Sequence, residues 1–559
     1  MSIPIHRLIN PDPPSATITN LPVELLSSIV SYLPNRDIKN LRQTCKFLHR
    51  IAHLRLTRVF LSPNPRNLEV FRAIADHETF HKQIVEIIYD DARLAQPPRL
   101  PQHGTYEYDS NDAYEEEESL ETHGAPSWFV KACEENAFLL NSRRNIYSEV
   151  ETPVHAARAK QLEAQLPFKE SWDHYQNLLL QQDDILRIGS DVEAFRYGLK
   201  RFPALKRVFV TPAAHGYLYT PLYETPMIRS LPYGFNCPTP RGWPCVGDGE
   251  ILPEAEEWNG EAYKNNWRGF REVVRELARQ EHNVTELLID ARLLQTGLNC
   301  RIFDEPCDEY NDFINVIRRP GFRRLDLDLL VGAQEHFGWP SFRHGYLRRA
   351  LSQAGDLESI TLRTNVVHDP DARATVRGSA GSIEHHIPLY TIFPVEKWPR
   401  LQHFGLKNFL VTQEDVLSFL ASLPPTLRTV ELSFLGFLDN GGSYKTLLEG
   451  MRDTLGWQDR DENTRPRVTI CIEAINDQYS GRFIVIDKDV DDFLYGRAEN
   501  PFGRGRMGLN QIAEGIGMVR DLFDPAFDRP WVEWEEYQRL GIYVIHPWSM
   551  KKKVAQSTE

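Results

Sequence analysis

The chain has 559 residues, of which 41% are hydrophobic and 25% are charged, and its mean hydropathy is −0.44. This composition is typical of soluble globular proteins and excludes fibrous and membrane-spanning classes, because no run approaches the roughly 18 apolar residues of a membrane helix. The opening residues lack the apolar stretch of a signal peptide, and the seven scattered cysteines do not form a disulfide framework. We therefore expect a protein of a reducing compartment, cytoplasmic and/or nuclear.

The net charge of −14 is distributed unevenly along the chain. Residues 1–60 hold eight Lys/Arg and three Asp/Glu, which is +5 and leaves −19 for the rest. A chain this acidic is poorly suited to general nucleic-acid binding, which needs a basic face to neutralise phosphates. The basic beginning instead favours a negatively charged protein partner.

Three short amphipathic helices are predicted between residues 20 and 56. The first starts at Pro22, whose missing N–H is not needed there, and its apolar residues recur at a spacing of four. Pro34 ends it, Asn35 can cap the second helix, and a third apolar helix follows from Phe47. So short a segment encloses too little interior to bury all these apolar groups. Either the rest of the chain or a partner must cover them.

This segment resembles the F-box, whose pattern begins Leu-Pro-x-Glu-Leu-Leu and continues through spaced apolar positions to a Cys or Val before a basic-aromatic stretch. The resemblance implies docking onto the Skp adaptor of cullin-RING ubiquitin ligases and, through it, onto the cullin and RING subunits. The alternative is a helical cap on the following domain. The residues that the resemblance assigns to adaptor binding are Leu21, Pro22, Glu24, Leu25, Ile29, Leu33, Ile38, Leu41, Cys45 and Phe47.

After this head, an amphipathic helix followed by a short strand recurs, with apolar residues at positions 1, 4 and 6 of the strand segment. Clear strand copies start at Leu205, Val284, Phe322, Leu357, Leu401 and Leu427, and weaker ones at Ile84 and Arg465. The helices predicted upstream cover 263–280, 309–318, 342–353 and 413–421. Units of this kind bury their apolar faces only by stacking on neighbours, which predicts a parallel-stranded α/β solenoid.

The body resembles the irregular leucine-rich-repeat domains of fungal F-box families. Most intervals exceed the roughly 20–29 residues of a regular repeat, and an Asn at the ninth position occurs only at Asn365. An unrelated α/β domain is the alternative. The predicted fold class is α/β, with a three-helix F-box head at 1–60 (core 20–56), an irregular leucine-rich-repeat-like domain at 61–480, and a C-terminal cap and tail at 481–559.

Two insertions interrupt the repeats, near 95–125 and 211–260. The first is rich in Asp and Glu and poor in aliphatic residues, so it cannot bury enough surface to offset its ordering entropy. We expect a solvated loop at about 101–124, followed by helices at 127–140 and 153–164. The second insertion is rich in Pro, Gly, Tyr and Trp and predicts a long irregular loop.

The sequence contains one motif that is associated with an enzyme class. His77, Glu78 and His81 fit the His-Glu-x-x-His motif of zinc proteases. That chemistry needs both histidines one turn apart on a continuous helix, whereas a strand is predicted from Ile84. A zinc hydrolase therefore stays a remote alternative. The cysteine pairs are too widely spaced for a zinc knuckle. We predict no catalytic residue, no metal and no cofactor.

The function that these patterns favour is a non-catalytic substrate-recognition subunit of a Skp-cullin-F-box ubiquitin ligase. The head would bind the adaptor, and the repeats would bind an unknown protein substrate, with neither nucleic acid nor membrane as a partner. The alternative is a protein-binding scaffold that never joins a ligase. Side chains between the apolar strand positions are expected to project outward and to contact the substrate. They include Lys206, Phe209, Asp326, Asp328, Arg363, Lys407 and Glu431.

Overall fold

The computed structural model describes residues 18–95, 124–145, 153–245, 253–292, 294–366, 385–473, 482–502, 512, 515–521 and 524–530. Its helices are α1 (Val23–Ser31), α2 (Asn35–Thr44), α3 (Lys46–Ile51), α4 (Pro65–Asp76), α5 (Ser127–Asn145), α6 (Pro153–Glu163), α7 (Phe168–Ile188), α8 (Ser190–Arg201), α9 (Pro226–Arg229), α10 (Glu261–Lys264), α11 (Arg268–Arg279), α12 (Asp308–Ile317), α13 (Pro340–Arg343), α14 (Tyr346–Leu351), α15 (Gln413–Ala421), α16 (Tyr444–Thr454) and α17 (Asp487–Tyr495).

A parallel sheet organises the body. Its strands are β1 (Arg58–Leu61), β2 (Glu86–Asp90), β3 (Arg207–Thr211), β4 (Glu286–Ile289), β5 (Leu298–Asn299), β6 (Arg324–Leu330), β7 (Ser359–Thr364), β8 (His403–Lys407), β10 (Thr429–Ser433) and β12 (Arg467–Thr469). They lie side by side in chain order, and the short β5 pairs only with β6. A parallel neighbour requires a crossover connection, and helices supply most of these crossovers.

Two smaller sheets complete the strands. The short β9 (Leu410–Val411) and β11 (Gly436–Phe437) pair with each other. Near the C-terminal end, β13 (Cys471–Glu473), β14 (Arg482–Val485), β15 (Met518–Asp521) and β16 (Asp524–Pro530) form an antiparallel sheet.

The main hydrophobic core lies between the parallel sheet and the helices. Most long strands place more than one side chain in it, and the strand register sets one side chain from each of these strands in a single row. The row consists of Val59, Ile87, Val208, Leu287, Leu325, Ile360, Phe404, Val430 and Val468, all at most 2% exposed. Because side chains alternate along a strand, the residues on either side of this row face away from the core. We call that side of the sheet the outer face.

Polar side chains at the strand ends bind the backbone of the preceding connection. The Asp328 carboxylate accepts a hydrogen bond from the Ala291 N–H at 2.8 Å. In the next pair of strands, the Asn365 side-chain oxygen accepts one from the Val331 N–H, also at 2.8 Å. These bonds satisfy buried backbone donors that the strand ladder no longer reaches. They tie neighbouring units together laterally.

The α/β class is confirmed, and each of the eight predicted strands is present. The predicted helix at 413–421 has the predicted bounds, whereas the one expected at 342–353 is divided into α13 and α14. Strand β1 and helices α7 and α8 were not predicted. The leucine-rich-repeat character of the body remains a prediction.

The first insertion lies outside the described residues from 96 to 123, as does most of the tail, from 531 to 559. The second insertion is described from 211 to 245 and from 253 to 260, and it is irregular apart from α9. Side-chain amides hold it in place: Asn236 donates to the Cys133 carbonyl and Asn136 donates to the Cys237 carbonyl, both at 2.8 Å. A long loop held in this way has one defined shape.

Candidate docking site

Helix α1 is apolar on two sides. Leu26 and Val30 face inward and are buried. On the opposite side, Leu25 is 53% exposed and Ile29 is 41% exposed, while Leu21 precedes them by one helical turn at 36%. Three aliphatic side chains at a spacing of four form an exposed stripe, which we call the α1 stripe. Exposed apolar surface of this kind is typical of interaction sites.

A small core of its own stabilises the head. Val30, Ile38 and Ala52 are buried together, and Leu33 and Leu41 pack partly buried against them. The prediction that Ile38 contacts the adaptor is wrong, because its side chain is 0% exposed and cannot reach a partner. Leu33 and Leu41 also pack against this core, but each keeps part of its surface exposed. Helical periodicity places Ile38 and Leu41 on the apolar face of α2, but it does not show whether the rest of the head or a partner covers that face.

Arg55 and Asn35 join the end of the head to its middle. The Asn35 side chain donates to the Arg55 carbonyl at 2.6 Å and accepts from the Arg55 N–H at 2.9 Å. The Arg55 guanidinium donates to the carbonyls of Ser31 and Leu33 at the end of α1. The expectation that Asn35 caps α2 is therefore wrong, because its side chain is used in this contact twenty residues away. The local sequence carries no signal for it.

The remaining four residues predicted to bind the adaptor lie at the start of α1 and at the start of α3. Pro22 occupies the N-cap of α1, and Glu24 is exposed in the first turn, where a carboxylate is favoured by the helix dipole. Cys45 is exposed, and its sulfur accepts a hydrogen bond from the Leu48 N–H at 3.5 Å, so it caps α3. Phe47 beside it is half-buried. These four residues are accessible to a partner.

The F-box-like family model matches residues 18–60. Residues 18–60 are an F-box-like domain. This match contains α1, α2, α3 and most of β1. F-box domains in general bind the Skp adaptor, and they typically belong to non-catalytic adaptor subunits. No curated protein matches the chain. The F-box-like domain thus carries the α1 stripe within its matched residues.

Beyond the F-box-like domain, the outer face of the sheet changes character along its length. The row next to the core row is apolar in the first four strands, at Phe60, Ile88, Phe209 and Leu288. From β6 onward the same row has no apolar side chain: it consists of Asp326, Thr361, Gly405, Glu431 and Thr469. Both carboxylates of this row are paired with half-buried cations of the same face: Glu431 bonds Lys407 at 2.8 Å and Asp326 bonds Arg324 at 2.5 Å.

Three of the predicted substrate residues are buried. Phe209 lies under Tyr223, with their rings 6.1 Å apart, because the second insertion folds over this end of the outer face. Asp328 and Arg363 form a salt bridge of 3.0 Å whose side chains are only 7% and 6% exposed. The expectation that these three project into solvent is wrong. Lys206 is exposed, and Asp326, Lys407 and Glu431 are half-buried.

A cleft of about 370 Å³ opens within the second insertion. Its walls include His215, Tyr217, Tyr219 and Phe235. The turn that carries the two tyrosines is tight, since Gly216 has a φ of +58° and a Cβ there would lie 2.2 Å from the Thr220 carbonyl oxygen. The cleft is therefore part of the fixed shape of the insertion.

The His-Glu-x-x-His motif does not lie on a continuous helix. Helix α4 ends at Asp76, His77 is its C-cap, and a short 3₁₀ turn follows at Phe80–Lys82. The His81 Nδ1 lies 2.7 Å from the His77 carbonyl oxygen and is engaged there. Within the described ranges, no three His, Cys, Asp or Glu residues are arranged to hold a metal ion. Likewise, no described helix has the length and hydrophobicity to cross a bilayer.

Proposed function

We propose that the protein is the substrate-recognition subunit of a Skp-cullin-F-box ubiquitin ligase. The observation that carries the proposal is the α1 stripe, formed by Leu21, Leu25 and Ile29 inside the matched F-box-like domain. Full burial of an exposed aliphatic side chain is worth roughly 1.5–3 kcal/mol, and each of these side chains would gain the part of this that corresponds to its exposed surface. A partner with an apolar groove gives them that burial.

The body would hold the protein substrate. Its helices and strands alternate along the chain at uneven intervals, which is consistent with an irregular leucine-rich-repeat-like domain. The accessible members of the predicted substrate set are Lys206, Asp326, Lys407 and Glu431. The second insertion would form a rim at the β1–β3 end of the outer face, where Tyr223 contacts Phe60 and Phe209. The protein would contribute proximity, holding a substrate lysine near ubiquitin carried by the other subunits.

The test compares two double variants of equal chemistry. Leu25→Ala/Ile29→Ala removes two exposed aliphatic side chains from α1, and Leu180→Ala/Ile188→Ala removes two from α7, where they are 68% and 61% exposed. We expect the first variant to lose co-purification of the Skp adaptor, because central interface anchors cost 2 kcal/mol or more, roughly a thirtyfold loss of affinity. The second variant should bind as the wild type does.

Undiminished recovery of the adaptor by Leu25→Ala/Ile29→Ala would contradict the proposal. A chain that binds the adaptor but never recovers a cullin would support the scaffold alternative. Exposed substitutions leave the fold intact, and the circular dichroism of both variants provides that control.

A further inference from the structure

Two exposed helix faces of the F-box-like domain carry charge of one sign. Arg36 and Lys39 are exposed on α2, three positions apart, and Lys46 and Arg50 are exposed on α3, four positions apart. Residues at these spacings lie on the same side of a helix. We call these four residues the basic surface.

The other arginines of the domain form hydrogen bonds or salt bridges within the protein, so each has a structural role. Arg42 donates to the Ala52 carbonyl at 2.8 Å, Arg55 binds the end of α1, and Arg58 pairs with Glu86. The four residues of the basic surface form no salt bridge within the described part of the chain. Their positive charges therefore do not stabilise the domain through salt bridges.

Along the sequence, one residue of the basic surface has predicted adaptor-binding residues on both sides. Cys45 and Phe47 lie on either side of Lys46 and are accessible. Residues 18–60 contain seven Lys/Arg and two Asp/Glu, a net charge of +5, against −14 for the whole chain. The domain is thus the positive end of an otherwise acidic protein.

We propose that the basic surface faces an acidic surface of the adaptor that the α1 stripe binds, and that it accelerates their association. The proposal rests on the proposed function. Charges at the rim of an interface act mainly on the rate of encounter, whereas buried apolar anchors set the rate of dissociation. Nucleic acids and anionic membranes are disfavoured as the partner, because such extended polyanions would also meet the acidic remainder of the chain.

The test measures association of the full chain with the purified adaptor by stopped flow, over ionic strengths at which the Debye length falls from roughly 30 Å to roughly 8 Å. The variant Lys39→Gln/Lys46→Gln/Arg50→Gln removes three charges from the basic surface. We expect its association rate at low ionic strength to fall roughly tenfold and to depend less on salt. Its dissociation rate should stay within about twofold of the wild type.

The matched control is Lys200→Gln/Lys397→Gln/Lys488→Gln, which removes three exposed charges from the body. It should associate as the wild type does. If it slows as much as the head variant, total charge is responsible and the proposal is wrong. The proposal is also wrong if the head variant keeps the wild-type rate and salt dependence, or if it loses only binding to a duplex DNA or to phosphatidylserine vesicles. Failure of the wild type itself to bind the adaptor would instead overturn the proposed function, and with it this inference.

Discussion

Leu54 and Leu56 are two residues apart and pack in different cores. Leu54 packs against the head cluster of Val30, Ile38 and Ala52, whereas Leu56 packs against the main core of the body. The Leu56 N–H also donates to the Gln83 side chain at 3.4 Å. The F-box-like domain and the sheet therefore join without a flexible linker. Under the proposed function, such a junction favours a fixed orientation between the adaptor and the substrate, which is what a proximity mechanism requires.

Because the head has a core of its own, alanine substitutions at Ile38 and Ile29, both in the predicted adaptor-binding set, should have different effects. Ile38→Ala removes a fully buried side chain and should destabilise the head by roughly 2–5 kcal/mol. Ile29→Ala removes an exposed one and should leave the head folded while weakening adaptor binding. Hydrogen exchange of the amides in α1 to α3 should therefore rise in the first variant and stay unchanged in the second. Equal protection in both would contradict the assignment of Ile38 to the core.

Reversing the charge of Arg363 should affect stability more than recognition. Its guanidinium bonds the buried Asp328 carboxylate and the backbone of the connection after β4 through the Arg292 carbonyl. Arg363→Glu would leave two buried carboxylates together, and breaking a buried pair costs roughly 3–5 kcal/mol.

Lys206→Glu is the matched reversal at an exposed position, where a cost within about 0.5 kcal/mol is expected. The midpoint of thermal unfolding should drop clearly for Arg363→Glu alone. Similar midpoints for the two variants would show that the Asp328–Arg363 bridge does not stabilise the sheet.

A buried carboxyl at the end of β2 should make stability depend on pH. Burial, with a smaller contribution from Asp91, raises the pKa of Asp90 to about 8, although its oxygen accepts a bond from the Ala92 N–H. His215 lies 3.9 Å away, and burial with the nearby Arg241 lowers its pKa to about 3, so it stays neutral and offers Asp90 no counter-charge.

Because the folded-state pKa of Asp90 exceeds its unfolded value, the folded protein holds the extra proton between about pH 4 and about pH 8. This contribution to stability is complete below that range and is lost as the pH rises through it. Asp90→Asn keeps an acceptor for the Ala92 N–H and cannot ionise. Its free energy of unfolding relative to wild type should therefore be higher at pH 8 than at pH 5 by on the order of a few kcal/mol, which is measured as a higher relative thermal midpoint at pH 8. An equal difference at both values would contradict the raised pKa.

Much of this protein was predictable because its signals are local. The F-box-like domain follows from a short, nearly gap-free run of residue types between Leu21 and Phe47, which the family match to residues 18–60 supports. The eight strands followed from apolar residues spaced at 1, 4 and 6, since alternate side chains of a strand share one face. Helix α15 at 413–421 followed from its apolar periodicity in the same way.

Only the tertiary structure decided which of these residues are free to act. Leu25 and Ile38 are equally apolar in the sequence, yet Leu25 lies on the uncovered side of α1 and is exposed, whereas Ile38 of α2 packs in the head cluster and is buried. Arg363 reads as a solvent-facing charge until the connection after β4, brought in by the order of the strands, closes over it. The sequence determines which residues alternate along each strand or helix, whereas burial depends on partners tens to hundreds of residues away that only the folded chain brings together.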